Sequence, residues 1–236
     1  MIDIHTHILP GFDDGAEDEM MAWRTVMRSV SEESVCAMFV TPHSDAFDLN
    51  PTSFPDLLHR LRNTFPHIAF YPGCEILCEP ARMEQILENL KTGLYPSMNG
   101  SRYVLVEFHS GAEVLQIHFC LNTLIHNGWQ PILAHPERCR NLHDEIDLIR
   151  EQGVLLQVNT CSLSQWDEDD LRIREKARQL VSEEKVTFLG TDTHGLIRRP
   201  PVVSRAMDFL TTACTPEYLA AITCGNAERL LIRKES

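Results

Sequence analysis

The chain reads as an α/β protein in which parallel strands alternate with helices, and two observations predict this. Seven short apolar segments recur along the 236 residues, at roughly 1–5, 37–41, 68–72, 103–107, 131–135, 154–158 and 186–191. Several are nearly continuous, such as Val104-Leu105-Val106 and Val154-Leu155-Leu156, as suits parallel strands buried on both faces. The stretches between them carry helical period instead. Strand alternating with helix demands right-handed crossovers and a parallel sheet, either open or closed into a barrel.

Taken in order, the first strand is followed by Trp23, Val26, Met27 and Val30, which sit at i, i+3, i+4 and i+7 and form one apolar stripe predicted to face the core. Helices are expected near 53–64 and 80–91. A second stripe runs through Val114, Ile117, Leu121, Leu124 and Ile125. Further helices are expected near 143–152, 168–183, 202–212 and 216–232. With 43% apolar and 23% charged residues the mix is that of a globular protein, and no linker, repeat or low-complexity run divides it, so a single domain over 1–236 is expected. No run approaches the roughly 18 apolar residues of a membrane span. The opening Met-Ile-Asp-Ile-His lacks the basic flank and apolar run of a signal peptide. A cytoplasmic protein without membrane insertion follows.

The formal net charge of −13 argues against a nucleic-acid partner, which calls for a basic patch. The eight cysteines, at 36, 74, 78, 120, 139, 161, 214 and 224, show no paired Cys-x-x-Cys spacing. They read as reduced thiols, mostly in the core. No cysteine has Arg six residues on, which excludes cysteine-dependent phosphatase chemistry.

The placement of polar residues narrows the function. His5 and His7 end or follow the first strand and His43 follows the second. Glu75 lies just past the third, Glu107 ends the fourth and His135 ends the fifth. Asp192 and His194 follow the seventh. Six of seven strands thus deliver a metal-type ligand to one rim, where parallel barrels carry their catalytic groups. Asp14 joins them from the loop Gly11-Phe12-Asp13-Asp14-Gly15, whose glycines permit tight bends. Four acids and five imidazoles on one rim would be costly to bury without cations among them. Mixed imidazole and carboxylate ligands suit Mn, Fe or Zn. Arg138 and Arg199 follow ligand turns and are candidate anion clamps, since guanidinium matches phosphate oxygens bidentately. Of the other histidines, His118 is expected as a hydrogen-bonded core residue, and His59, His67, His126 and His143 on the surface. His109 is left open.

At these residues the chain resembles the polymerase and histidinol phosphatase (PHP) superfamily. Within it, the chain is most similar to the bacterial manganese-dependent protein-tyrosine phosphatases of capsule and exopolysaccharide operons. The similarity runs through Met1-Ile2-Asp3-Ile4-His5-Thr6-His7, Asp13-Asp14-Gly15, Gly73-Cys74-Glu75-Ile76, Ser101-Arg102-Tyr103, Ala134-His135-Pro136-Glu137-Arg138, Gln157-Val158-Asn159 and Asp192-Thr193-His194. It departs at Cys139, where Tyr is common, and at Gly195, where Asn is common. The resemblance implies a distorted TIM-like (β/α)7 barrel of the PHP type and three divalent ions, with Mn first and Fe or Zn as alternatives. It implies one ion on His5, His7, Glu75 and Asp192, a second on Glu75, Glu107 and His135, and a third on Asp14, His43 and His194. It also implies a phosphotyrosine protein as partner, a bacterial tyrosine kinase of polysaccharide export.

The chemistry expected is attack on phosphorus by hydroxide that a metal ion generates at neutral pH, with the two arginines neutralising the transferring group. Three rivals stand beside it. A small-molecule phosphatase, such as one acting on histidinol phosphate, would keep the metals and change the pocket. A nuclease would need a backbone-binding surface that the acidic balance does not supply. A non-catalytic regulatory module that binds metal has no need of all nine ligands.

Overall fold

The structure is a computed structural model in which residues 1–164 and 171–231 are described. All the strands lie parallel. β1 (Ile2–Asp3), β2 (Ala37–Val40) and β3 (Ala69–Pro72) form one sheet in that order. β4 (Glu75–Leu77), β5 (Tyr103–Glu107), β6 (Gln130–Ala134), β7 (Leu155–Asn159) and β8 (Phe188–Gly190) form the other. Two parallel bridges join the sheets at both edges, His43 with Glu75 and Thr6 with Thr193. The ring therefore closes, as a distorted barrel.

The expected third strand, 68–72, is β3, and the chain beyond it passes to the other sheet as β4. β3 pairs with β2 and β4 pairs with β5, with Gly73-Cys74 between them. A Cβ on Gly73 would come within 2.9 Å of both the Met98 sulfur and the Thr41 methyl, so any larger residue at the crossing would displace these side chains. Glu75 lies just past β3, as expected, and also opens β4. Counted as staves, β3 and β4 make one, and the barrel has seven.

Side-chain parity sorts each strand between two cores. Phe39, Leu105, Ile132 and Phe188 pack together inside the ring with Ile4, Met98 and Leu230. Their neighbours Met38, Val40, Val104, Val106, Leu133 and Leu189 face the helices. Asp3 staples the first stave to the last. Fully buried, it accepts hydrogen bonds from the Thr191 amide (2.9 Å) and hydroxyl (2.6 Å), and burial pushes its carboxyl up to about 6.

The helices are α1 (Glu19–Ser31), α2 (Ser44–Leu49), α3 (Phe54–Thr64), α4 (Met83–Thr92), α5 (Val114–His126), α6 (Ile146–Glu151), α7 (Thr160–Leu163), α8 (Leu171–Ser182), α9 (Ser204–Ala213), α10 (Pro216–Thr223) and α11 (Glu228–Leu231). The short α2 and α7 lack enough turns to show a period in sequence. The helix expected over 216–232 is broken by a 3-10 turn at Gly225–Ala227, and its last residue lies outside the described ones, as do 168–170 of the expected 168–183. The stripe read on α1 is rotated. Ala22, Thr25, Val26 and Ser29 are buried, while Trp23 and Met27 are 42% and 54% exposed. Small residues let this helix sit close to the barrel, which turns its large apolar groups outward.

All eight cysteines are free; five are buried and Cys36 is exposed. No described helix is long and apolar enough to cross a membrane.

The start of α9 depends on a remote carboxylate. Val203 caps it without a side-chain bond, and the buried Glu33 accepts from the Val203 amide (2.7 Å) and the Ser204 amide (2.6 Å). Glu33→Ala takes the partner from both donors, that of Val203 buried and that of Ser204 nearer solvent, and is expected to cost about 1–3 kcal/mol in urea unfolding. Glu33→Gln should recover much of that loss; equal stability of all three proteins would show the contact to be idle.

Candidate metal centre

The rim that the strand ends form is a continuation of the barrel's inward parity. Glu107 stands two residues beyond Leu105, and Gln157 occupies the inward position of β7 between the outward Leu156 and Val158. His135 and Asp192 follow β6 and β8 with φ of 33° and 52°. A left-handed backbone is unusual for residues with a Cβ, and here it turns two side chains over the barrel mouth.

Glu75 is the centre. Its carboxylate is fully buried, with Oε1 2.8 Å from His135 Nε2. Oε2 lies 3.2 Å from His5 Nε2, 3.3 Å from His7 Nε2 and 3.1 Å from His43 Nδ1. His43 Nδ1 is also 3.0 Å from Glu107 Oε1, and its Nε2 is 3.3 Å from Asp14 Oδ1. His194 Nε2 is 3.1 Å from the same Asp14 oxygen. Asp192 Oδ1 stands 3.6 and 3.5 Å from His5 and His7.

Outer partners fix three of the rings. His5 Nδ1 donates to Gln157 Oε1 (2.9 Å), His7 Nδ1 to Asp13 Oδ2 (2.6 Å) and His194 Nδ1 to the Asp192 carbonyl (2.9 Å). Bonded outward through Nδ1, each ring turns its Nε2 toward the cluster, the orientation from which that nitrogen would ligate a metal once its own proton is lost. Gln157 donates in turn to Asn159, and Asn159 to Asp192 Oδ2, both at 2.8 Å.

The donor set fits divalent cations. Glu75 Oε2 and His194 Nε2 are buried yet lack any hydrogen bond, a costly state for atoms aimed at other lone pairs. Three sets of ligand atoms lie within 4.8 Å of one another: His5, His7 and Glu75; His43, Glu75 and Glu107; and His7, Asp14, His43 and His194. The sets overlap at His7, His43 and Glu75, so the partition that the resemblance implies is looser here.

Charge in the cluster is balanced by protons on imidazoles. Burial favours neutral His7, but the Asp13 carboxylate overrides it and raises the ring to about 9. Burial likewise opposes charge on His43, while Asp14 and Glu107 lift it to about 12. Burial alone would raise Glu75, yet His5, His135 and His7 hold it well below the usual carboxylate range. Asp192 is depressed against burial by His5, Arg199, His135 and Arg138.

Both candidate clamps reach this edge. Arg199 Nη1 lies 2.9 and 2.8 Å from the two Asp192 oxygens, and Arg138 Nη1 is 3.3 Å from Oδ2. Phe12, Ala46, Leu49 and Leu77 wall a cleft of about 560 Å³ that opens on Asp14, His43 and Glu107.

The family pattern for capsular polysaccharide synthesis, CpsB/CapC, matches residues 1–232. The chain belongs to this family. It is similar to the tyrosine-protein phosphatase CpsB of Streptococcus agalactiae serotype III (strain NEM316), with 26% identity over 246 residues covering 98% of each chain. It is also similar to the tyrosine-protein phosphatase YwqE of Bacillus subtilis (strain 168), with 27% identity covering 98% of this chain and 91% of that one. Among solved structures, one from the work on YwqE of Bacillus subtilis and CpsB of Streptococcus pneumoniae, described as unique metal-dependent tyrosine phosphatases, superposes with a TM-score of 0.83. It is 26% identical and covers 98% of this chain and 94% of that chain.

All nine ligand-type residues of this CpsB/CapC member converge at the barrel mouth. The remaining histidines divide much as their sequence context suggests. His118 is hydrogen-bonded to Gln152 and Glu145, and His59, His67 and His126 are exposed. His143, expected on the surface, is half-buried against the Glu137 carbonyl. His109 is exposed and pairs with Glu79 at 3.5 Å, away from the cluster. Asp13, Asn159 and the fully buried Glu137, which accepts from the Asn159 amide, carried no separate signal. Asp13 looked like a loop residue beside Asp14. Gln157 and Asn159 are spaced two apart on a strand, which marks one face but not which face.

Two outcomes are expected. Asp13→Ala frees the His7 ring and should weaken divalent-metal binding about 10- to 100-fold by titration calorimetry, as loss of an orienting partner does. A protonated imidazole cannot ligate, and His7 and His43 hold their protons above neutrality in the metal-free protein. Metal affinity should therefore keep rising with pH between 7 and 9, with proton release measured across buffers of differing ionisation heat. A flat affinity over that window would show both rings already neutral.

Proposed function

We propose that this chain is a metal-dependent protein-tyrosine phosphatase that dephosphorylates a bacterial tyrosine kinase controlling capsule or exopolysaccharide synthesis, acting in the cytoplasm. The observation that carries the reading is the buried carboxylate of Glu75 among the rings of His5, His7, His43 and His135, with two guanidinium groups at the edge of the same cluster. The names of the CpsB and YwqE relatives support the substrate class.

His5, His7, Glu75 and Asp192 would hold one divalent ion, Glu75, Glu107 and His135 a second, and Asp14, His43 and His194 a third. Mn suits this set first, with Fe or Zn as alternatives. Bound there, the ions supply hydroxide at neutral pH and Lewis-acid neutralisation of phosphoryl oxygens.

The chain's own groups do the rest. Arg138 and Arg199 turn guanidinium N–H groups toward the non-bridging oxygens and stabilise charge that grows on them. Asp192, Asn159 and Gln157 hold Arg199 and His5 in one hydrogen-bonded chain, so positioning costs little during reaction. The apolar walls Phe12, Leu49 and Leu77 accept the tyrosyl ring, whose phenolate has a pKa of about 10 and leaves readily.

The protein stripped by chelator and reloaded singly with Mn, Zn, Mg or Fe should regain hydrolysis strongest on a phosphotyrosine peptide, weaker on phosphoserine. His5→Ala should abolish it, and Arg199→Ala should lower kcat about 10²- to 10³-fold, as loss of one oxyanion donor does. Turnover of histidinol phosphate alone would keep the metal site and overturn the substrate.

A further inference from the structure

Outside the metal centre, the outer face of α1 is the feature that the phosphatase reading leaves unused. Met20, Trp23 and Met27 stand at i, i+3 and i+7, on one side of the helix, and are 60%, 42% and 54% exposed. Ile197, in the loop between His194 and Arg199, is 85% exposed. This loop lies against α1: a Cβ on Gly195 would stand 3.1 Å from the Met21 sulfur, and Leu196 lines one groove with Trp23, Arg24, Met27 and Arg28. The groove holds about 530 Å³. Exposed large apolar groups gathered this way mark an interaction surface more often than scattered ones do.

Its charge says what would cover it. In a chain of formal net charge −13, the groove and its loop carry Arg24, Arg28 and Arg198. One acid, Glu32, answers Arg28 at 3.5 Å, and Arg198 stands 3.7 Å from Asp14 with its side chain 71% exposed. Arg24 makes no ion pair among the described residues. Aromatic, thioether and guanidinium groups together suit a segment bearing apolar or aromatic side chains and carboxylates.

Its position says when. Leu196 follows His194 by two residues, which at full extension span at most about 7 Å. The groove is therefore within reach of residues that flank a phosphotyrosine at the metal centre.

We infer that the groove between α1 and the 195–198 loop is a substrate-docking surface that selects acidic, aromatic sequence flanking the phosphotyrosine. This rests on the phosphatase reading and adds the element that distinguishes one phosphotyrosine segment from another. Trp23 packs on an aromatic or apolar flanking side chain, while Arg24 and Arg198 meet flanking carboxylates. A second copy of this chain is the other occupant that the face would fit, and the test separates the two.

The metal-loaded protein is assayed with a phosphotyrosine peptide flanked by Glu and Phe, its Lys-flanked counterpart, and 4-nitrophenyl phosphate, which is too small to reach the groove. Trp23→Ala and Arg24→Glu should each raise KM for the acidic peptide about tenfold, as loss of an interface anchor does, with kcat kept. Both should leave 4-nitrophenyl phosphate turnover within about twofold, since neither residue touches the reacting group. Equal effects on both substrates, none on the peptide, or a Trp23→Ala change from dimer to monomer in sedimentation with peptide kinetics unaltered would each overturn the docking surface. Binding of the fluorescent acidic peptide in chelator, where nothing turns over, gives the separate reading. If no substrate is hydrolysed with any metal, the phosphatase reading fails. The surface is then judged by whether Trp23→Ala weakens this binding or leaves it as in the wild type.

Discussion

A carboxylate shut away from water with too few protons to satisfy it is the constraint around which this structure is arranged. Glu75 has no exposure, and one of its oxygens accepts nothing although three ring nitrogens face it within 3.3 Å. Burying such a charge costs several kcal/mol unless positive charge stands beside it. The cluster answers with imidazolium in the metal-free protein and would answer better with divalent ions. Asp192 poses the same demand and is met by Arg199, Arg138 and Asn159.

The barrel is shaped to meet that demand. The chain crosses between its two sheets at Gly73-Cys74, and the crossing sets Glu75 against Pro42, whose carbonyl accepts from its amide at 2.9–3.0 Å together with the Val40–Gly73 bond. Closure on the opposite side brings His5 to Asp192, whose amide donates to the His5 carbonyl at 2.9 Å. Glycine is needed there too, because a Cβ on Gly190 would stand 2.6 Å from that of His5. Backbone closeness and ligand closeness are thus one requirement. The left-handed conformations of His135 and Asp192 are held by the same convergence and bring two side chains inward that ordinary strand geometry would splay.

Around this fixed centre the outer groups differ in kind. Gln157, Asp13 and the Asp192 carbonyl orient rings and so act through them. Arg138 and Arg199 stand at the Asp192 edge of the cluster and balance its carboxylate. The cleft of Phe12, Leu49 and Leu77 borders Asp14, and the groove on the outer face of α1 carries Trp23, Met27 and Leu196, so apolar surface is exposed at both. Rigid chemistry at the strand ends and adaptable surface on the loops is the division of labour that parallel barrels generally use.

Much of this was legible in the sequence, for definite reasons. Apolar runs and helical period mark strands and helices locally, and ligand-type residues at strand ends mark a rim, since chain direction alone puts parallel strand ends together. Closure was not legible from pattern, because whether β1 meets β8 depends on Asp3, Thr191 and the Thr6–Thr193 bridge, which are 188 residues apart in the first pair. Nor was the rotation of α1, where a stripe through Trp23 and Met27 fits helical period as well as the small face through Ala22 and Ser29 that packs inward. Periodicity identifies a face but not the space available behind it. The second ring of the site, Asp13 and Asn159 above all, came only from the tertiary structure. Asn159 reaches Asp192 across 33 residues, and a bond between distant strands leaves no spacing in the chain; Asp13 is only six residues from His7, but the course of the loop decides which of two adjacent acids turns to the ring.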